Sequence, residues 1–147
     1  MKILFLNPTG RMGGAETALV ELIGGLLQQR PSWRLGLIAA SDGPLVARVR
    51  ALGVDVRVLP FPPVVARLGE WSSKQSRWPR LTHAARCARA AWPAWRYLAQ
   101  LRNIVRQLSP EIVHTNGLKM HLLGACSSER SLTNPGCVVF RGSKRPL

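Results

Sequence analysis

The sequence predicts an α/β fold built on a parallel sheet, and three observations carry that prediction. Short continuous apolar runs recur, apolar enough to be buried on both faces of a sheet. Stretches with apolar residues at helical spacing alternate with them. Gly and Pro mark the places where one period gives way to the other. The strand–helix pattern repeats four times between residues 2 and 125.

Ile3, Leu4, Phe5 and Leu6 form the first run, ended by Asn7, Pro8 and Gly10, and the turn that follows carries Gly13 and Gly14. From Ala15 the period changes. Ala15, Ala18, Leu19, Leu22, Ile23, Leu26 and Leu27 fall on one helical stripe, and Pro31 stops the helix. Glu16 stands in the first turn, where a negative side chain complements the helix end. Gly24 and Gly25 lie inside this helix. Each costs about 1 kcal/mol against Ala, so close packing on the sheet is the expected reason for them. Residues 35–40 are the second strand. Pro44 suits a first helical position, Leu45, Val46, Val49 and Leu52 continue a short helix, and Gly53 suits the residue just past its end. Val54, Val56, Val58 and Leu59 give the third strand, stopped by Pro60, Pro62 and Pro63.

Residues 64–80 show no clear period and read as a mobile loop or a broken helix. Residues 81–108 read as largely helical, with Pro93 expected to break or kink the element. Glu111, Ile112, Val113 and His114 form the fourth strand, ended by Thr115, Asn116 and Gly117, and Leu118, Leu122 and Leu123 begin another helix. After Ala125 the chain is polar and turn-rich; residues 137–140 fit a fifth strand, and the last residues are basic.

The 147 residues suit one domain, and an apolar content of 46% is enough for a real core. Lys and Arg number 21 against 7 Asp and Glu, a net charge of +14. That charge fits nucleic acid, an anionic membrane or a phosphorylated substrate, and equally Arg spread over solvated faces. Between residues 67 and 106 nine Arg or Lys face one Glu, with Trp71, Trp78, Trp92, Trp95 and Tyr97 among them. This is the composition of a membrane-interface surface or a single-strand groove, or of core tryptophans among solvated arginines. Cys87, Cys126 and Cys137 follow no metal or disulfide spacing, which points to a reducing cytoplasm. No run of 18 apolar residues exists to span a membrane, and the first residues do not form a signal peptide. A cytoplasmic protein is expected, with attachment to the inner face of the membrane left open.

Right-handed crossovers place the loops that follow parallel strands along one edge, where ligands bind. The turn at residues 10–16 and the segment 114–119 should therefore share a rim. Gly10-x-x-Gly13-Gly14 is neither the dinucleotide fingerprint nor a P-loop. It either presents helix N–H groups to an anion or is a tight turn needing positive φ at Gly. His114 stands where parallel-sheet sites form and exchanges protons near neutral pH; the alternative is a partly buried His bonded to a backbone carbonyl. His121 reads as a helix-surface residue, His83 has no evident partner, and no set has metal spacing.

Lys2-Ile3-Leu4-Phe5-Leu6 followed by Gly13-Gly14-Ala15-Glu16-Thr17 resembles the start of GT-B glycosyltransferases of family 4. Pro44-Leu45-Val46-Ala47-Arg48-Val49-Arg50-Ala51-Leu52-Gly53-Val54 resembles their second βα unit, and Pro110-Glu111-Ile112-Val113-His114-Thr115-Asn116-Gly117 their P-D-I-V-H-x-N/H strand end. Order and spacing agree over residues 1–125. The resemblance implies a Rossmann-like, doubly wound parallel sheet, the N-terminal and acceptor-side half of a two-domain fold. Residues 126–147 are then an atypical basic tail, disordered or frameshift-derived.

The implied activity moves a sugar from a nucleotide-sugar donor to a hydroxyl of an acceptor glycan or lipid-linked sugar, with retention of configuration and without metal or cofactor. Gly13 and Gly14 would approach the donor phosphates, with Glu16, Asn116 and Lys119 on the same substrate surface. His114 would lie near the transferred sugar as the catalytic residue. Most donor contacts in the family, a pair of Glu residues included, come from a second domain with no counterpart in these residues. The expectation is a truncated chain, inactive alone, whose donor-binding unit is a separate polypeptide or reading frame. The rival reading is a non-enzymatic basic module for an anionic membrane or, less favoured, nucleic acid.

Overall fold

The computed structural model describes residues 1–63, 80–117, 120 and 139–141; for residues 80–90 and 139–141 it describes the backbone. The elements are β1 (Lys2–Asn7), α1 (Gly14–Gln29), β2 (Arg34–Ala39), α2 (Pro44–Ala51), β3 (Asp55–Val58), α3 (Arg80–Leu108), β4 (Ile112–Thr115) and β5 (Val139–Arg141). They form one sheet in the order β3-β2-β1-β4-β5. The first four strands are parallel, with Phe5 level with Leu37 on one side and His114 on the other.

The alternation of side chains along β1 divides the core in two. Ile3 and Phe5 join Leu35, Leu37, Val54 and Val56 beneath Leu19 and Ile23 of α1 and Leu45, Val46 and Val49 of α2. Leu4 and Leu6 join Ile38, Ala40, Leu59 and Val113 beneath Tyr97 and Leu101 of α3, with Met120 buried among them. Helices on both faces make the sheet doubly wound, which is why its strands are apolar throughout rather than alternating.

The local signals of α2 hold. Pro44 is its first residue, and Gly53 just past its end has φ +79°, a conformation in which Gly avoids the penalty of a side chain. Four expectations need correction or refinement. Gly24 and Gly25 do not pack closely: among the described residues a Cβ at either would meet no atom within 4 Å. The apolar stripe of α1 is narrower than its seven members. Leu19 and Ile23 are buried and Leu26 and Leu27 partly so, while Ala15, Ala18 and Leu22 face outward. Of the break or kink expected at Pro93, the break does not occur: α3 runs through it to Leu108. The lost hydrogen bond costs about 3 kcal/mol, and the packing of Tyr97, Leu101, Ile104 and Val105 beyond it outweighs that. Finally, β5 runs antiparallel to β4, with Val139 level with His114, so the edge of an otherwise parallel sheet is reversed. Residues 64–79, the helix expected from Leu118, and the rest of the tail lie outside the described residues.

Trp92 and Trp95 are not core residues: they are 64% and 59% exposed on α3.

Candidate functional site

The strand order turns back at β1, since β1 leads to β2 on one side while β4 is inserted on the other. The crevice beyond the ends of β1 and β4 is the place where open α/β sheets bind ligands. It is tied together by Asn7, the last residue of β1, whose surface is entirely buried. Its Nδ2 donates to Thr9 O at 2.6 Å and, more weakly, to Glu16 Oε1 at 3.5 Å. Its Oδ1 accepts from Asn116 Nδ2 at 2.7 Å. The backbone reinforces the link, with Asn116 N–H donating to Leu6 O at 2.8 Å. Gly117 (φ +83°) then turns so close to Pro8 that a Cβ would lie 3.2 Å from its ring. Two turns more than a hundred residues apart thus form one rim.

The glycines of the first turn divide by role. Gly10 is needed for packing. Its N–H donates to Ser41 Oγ at 2.8 Å, its carbonyl accepts from Leu45 N–H at 2.9 Å, and a Cβ would collide with the backbone of Ser41 and Asp42. Gly13 and Gly14 are needed for neither packing nor conformation. Gly13 is extended, with φ −147° and ψ −172°, and neither residue has positive φ, so the tight-turn reading is overturned. Among the described residues a Cβ on Gly14 would meet nothing within 4 Å, and one on Gly13 only the end of the Glu16 side chain.

No side chain caps α1. The Thr17 hydroxyl donates to Gly13 O at 2.9 Å and so leaves the helix N–H groups untouched. The N–H groups of Gly14, Ala15 and Glu16 therefore point outward from the positive end of a 16-residue helix, without partners among the described residues. Glu16 is half-buried, and its carboxylate lies beside Gly13, within 3.5 Å of Asn7 Nδ2. A carboxylate accepts hydrogen bonds, so it suits a ligand hydroxyl rather than a phosphate oxygen.

His114 is half-buried, one residue short of the end of β4. Its ring packs on Phe5 at 5.4 Å between centroids and 53° between planes. Strand alternation puts it on the same face as Asn116, one pleat deeper than the Asn7–Asn116 pair. Gly13, Gly14, Glu16, Asn116 and His114 therefore share one side of one rim, whereas Lys119 and His121 lie outside the described residues. Asn7 is the residue that sequence reasoning missed. It reads as a strand terminator, and only its burial and its partners reveal the second role.

Among the described residues no group of three or more His, Cys, Asp and Glu could hold a metal ion. Among the described residues, desolvation pushes the Tyr97 phenol well above its usual range; it lies in the core under α3. A concavity lined by Lys2, Arg34, Gly36, Arg57 and Leu108 lies at the opposite edge, where parallel strands begin and ligands do not ordinarily gather.

No protein-family model and no curated protein matches the chain. Solved structures do match. The fold is similar to that of Anabaena Alr3699/HepE in complex with UDP-glucose, at a TM-score of 0.54 and 20% identity over 86% of this chain. The same protein in complex with UDP and glucose gives the same values. The chain spans about a quarter of that protein's length, 26%. At this identity the likeness establishes the fold, a Rossmann-like α/β unit with four parallel strands.

Proposed function

We propose that this chain is the N-terminal, acceptor-side unit of a GT-B glycosyltransferase of the family 4 kind, moving a sugar from a nucleotide-sugar donor to an acceptor hydroxyl with retention of configuration. The observation that carries the reading is the start of α1. Gly13 and Gly14 leave it bare although neither backbone conformation nor internal packing asks for glycine there. A bare helix N-terminus at a switch point receives an anion, and a donor diphosphate is the anion that fits the family resemblance. The fold likeness to Anabaena Alr3699/HepE, which was seen with UDP-glucose, supports the same reading.

In this proposal the N–H groups of α1 stabilise the charge that develops on the leaving diphosphate, a fixed dipole that needs no reorganisation. Asn116, held by Asn7, donates to substrate hydroxyls, and Glu16 nearby accepts from them. Lys119, assigned from the sequence, contributes positive charge toward the diphosphate, and His114 lies near the transferred sugar. The donor is a substrate, and no metal or cofactor takes part. The nucleoside and most of the donor sugar are held by a second unit, carried on a longer chain or a separate one, without which the described unit binds but does not turn over.

Titration with UDP, UDP-glucose and uridine tests the reading. UDP and UDP-glucose should bind and uridine should not, because the diphosphate is the recognised group. Binding of uridine as tight as that of UDP would place recognition elsewhere and overturn the role of α1. In an enzyme complete with its donor-binding unit, His114→Ala should lower kcat more than it lowers Tm, and the opposite order would leave His114 a packing residue against Phe5.

A further inference from the structure

We propose that the outer face of α3 docks this protein on an anionic lipid bilayer, with the paired indoles of Trp92 and Trp95 entering the headgroup region. The inner face of α3 is satisfied by Tyr97 and Leu101, with Ile104, Val105 and Leu108 packed beside them. Trp95 precedes Tyr97 by two residues, roughly 200° around the helix, so it stands on the side away from the core. Trp92 lies one turn earlier, and the two rings stack at 5.3 Å and 21°. Exposures of 64% and 59% on the two largest side chains make an apolar patch of roughly 300 Å².

The surroundings of the patch fix the kind of partner. Along its 29 residues α3 carries six arginines and neither Asp nor Glu. Arg96, next to Trp95 in the chain, is exposed. Indoles beside arginines suit a bilayer interface, where the rings lie at the level of the headgroups and the guanidinium groups meet lipid phosphates. No described helix is long and apolar enough to cross the bilayer, so the contact is peripheral. A single-strand nucleic-acid platform needs open ring faces on which bases stack, whereas here each indole covers a face of the other.

The docking would also orient the candidate site. Tyr97 packs on Phe61 just beyond β3, at 5.1 Å between ring centroids, so this part of α3 lies at the rim end of the sheet. The Trp pair sits further toward that end, and membrane contact brings the rim to the lipid surface. The inference stands on α3 alone and does not depend on the proposed function.

Vesicle sedimentation with the whole chain tests it, comparing phosphatidylcholine vesicles with vesicles containing about a third phosphatidylglycerol. Binding is expected to the anionic vesicles only, to weaken with salt, and to shift the tryptophan emission to the blue. Trp92→Ala/Trp95→Ala should weaken it about tenfold or more, with an unchanged circular dichroism spectrum, and Arg96→Gln about fivefold. A second variant, Trp92→Phe/Trp95→Phe, keeps aromatic rings on the helix and should lose the quenching by brominated lipid that the parent shows. Absence of vesicle binding, equal binding to neutral vesicles, or unchanged affinity or quenching in the Trp variants would overturn the proposal. Oligonucleotide binding lost in the alanine variant, without any vesicle binding, would assign the face to nucleic acid instead.

Discussion

Replacing Asn7 separates a rim held by one side chain from a rim held by the strands alone. Asn7→Ala deletes two short, partly buried hydrogen bonds, to Thr9 O at 2.6 Å and from Asn116 Nδ2 at 2.7 Å. The contact with Glu16 at 3.5 Å is at the limit of a hydrogen bond and adds little. At about 1 kcal/mol for each short bond, plus a share for the partners left in a buried place, the loss is about 2–3 kcal/mol. For a domain of this size Tm should fall by roughly 5–10 °C.

Asn7→Asp should be worse at neutral pH, although it is the smaller change in shape. The introduced carboxylate puts an acceptor where Nδ2 donated, against the Thr9 carbonyl and beside the Glu16 carboxylate. Burial and a neighbouring negative charge both favour its protonated form, so its folded-state pKa is raised above the unfolded value. The folded state then binds the extra proton, and stability falls as pH rises from the unfolded pKa through the folded one. Acidification should accordingly return most of the loss that is specific to Asn7→Asp, and should return none of the loss in Asn7→Ala. Thermal unfolding followed by circular dichroism at neutral and mildly acidic pH reads both effects. If Asn7→Asp is as stable as Asn7→Ala at neutral pH, the donor role assigned to Nδ2 is wrong; a Tm change of about 1 °C or less in Asn7→Ala would show that Asn7 does not hold the rim.

Other changes test neighbouring parts of the account. Gly10→Ala should cost several kcal/mol, roughly the scale of overpacking in a rigid place, and cut the yield of folded protein, because its Cβ meets backbone at Ser41 and Asp42. Gly14→Val should fold normally, since nothing lies within 4 Å of its Cβ position, yet weaken UDP binding about tenfold by blocking the helix end. Gly24→Ala and Gly25→Ala should each raise stability by about 0.5–1 kcal/mol in urea unfolding, given the open space around both. Tyr97→Phe should be neutral or stabilising by up to about 1 kcal/mol, because the buried phenol oxygen finds no hydrogen-bond partner among the described residues.

Periodicity and turn chemistry made most of the fold legible. The apolar runs at Ile3, Leu35 and Val54 became β1, β2 and β3 to within a residue or two, and Pro44 and Gly53 bracket α2 as their backbone preferences require. What escaped depends on partners distant in the chain. Nothing local distinguishes Asn7 as a strand terminator from Asn7 as a clamp, because Asn116 acquires its meaning only when β4 lies beside β1. Gly10 and Gly13 look alike in sequence, yet one is pressed against the second βα turn and the other against nothing but a carboxylate tip. The direction of β5 is likewise a matter of pairing that a three-residue strand does not encode.

The outward Trp pair was within reach of the sequence. Tyr97, Leu101, Ile104, Val105 and Leu108 define one helical face, and counting back from them puts Trp92 and Trp95 on the other. For the site, the rim itself followed from topology. The bareness of α1 did not, because a Gly pair before a helix fits conformation, packing or ligand approach until the structure removes the first two.

The central claim is that the open start of α1 receives a diphosphate. Amide chemical shifts followed by NMR during titration with UDP test it at the residues concerned. The account predicts saturable shifts at Gly13, Gly14, Ala15 and Glu16, smaller ones at Asn116, and their loss in Gly14→Val with the rest of the spectrum unchanged. Saturable shifts confined to the opposite edge, around Arg34 and Arg57, or unaltered binding in Gly14→Val, would contradict it.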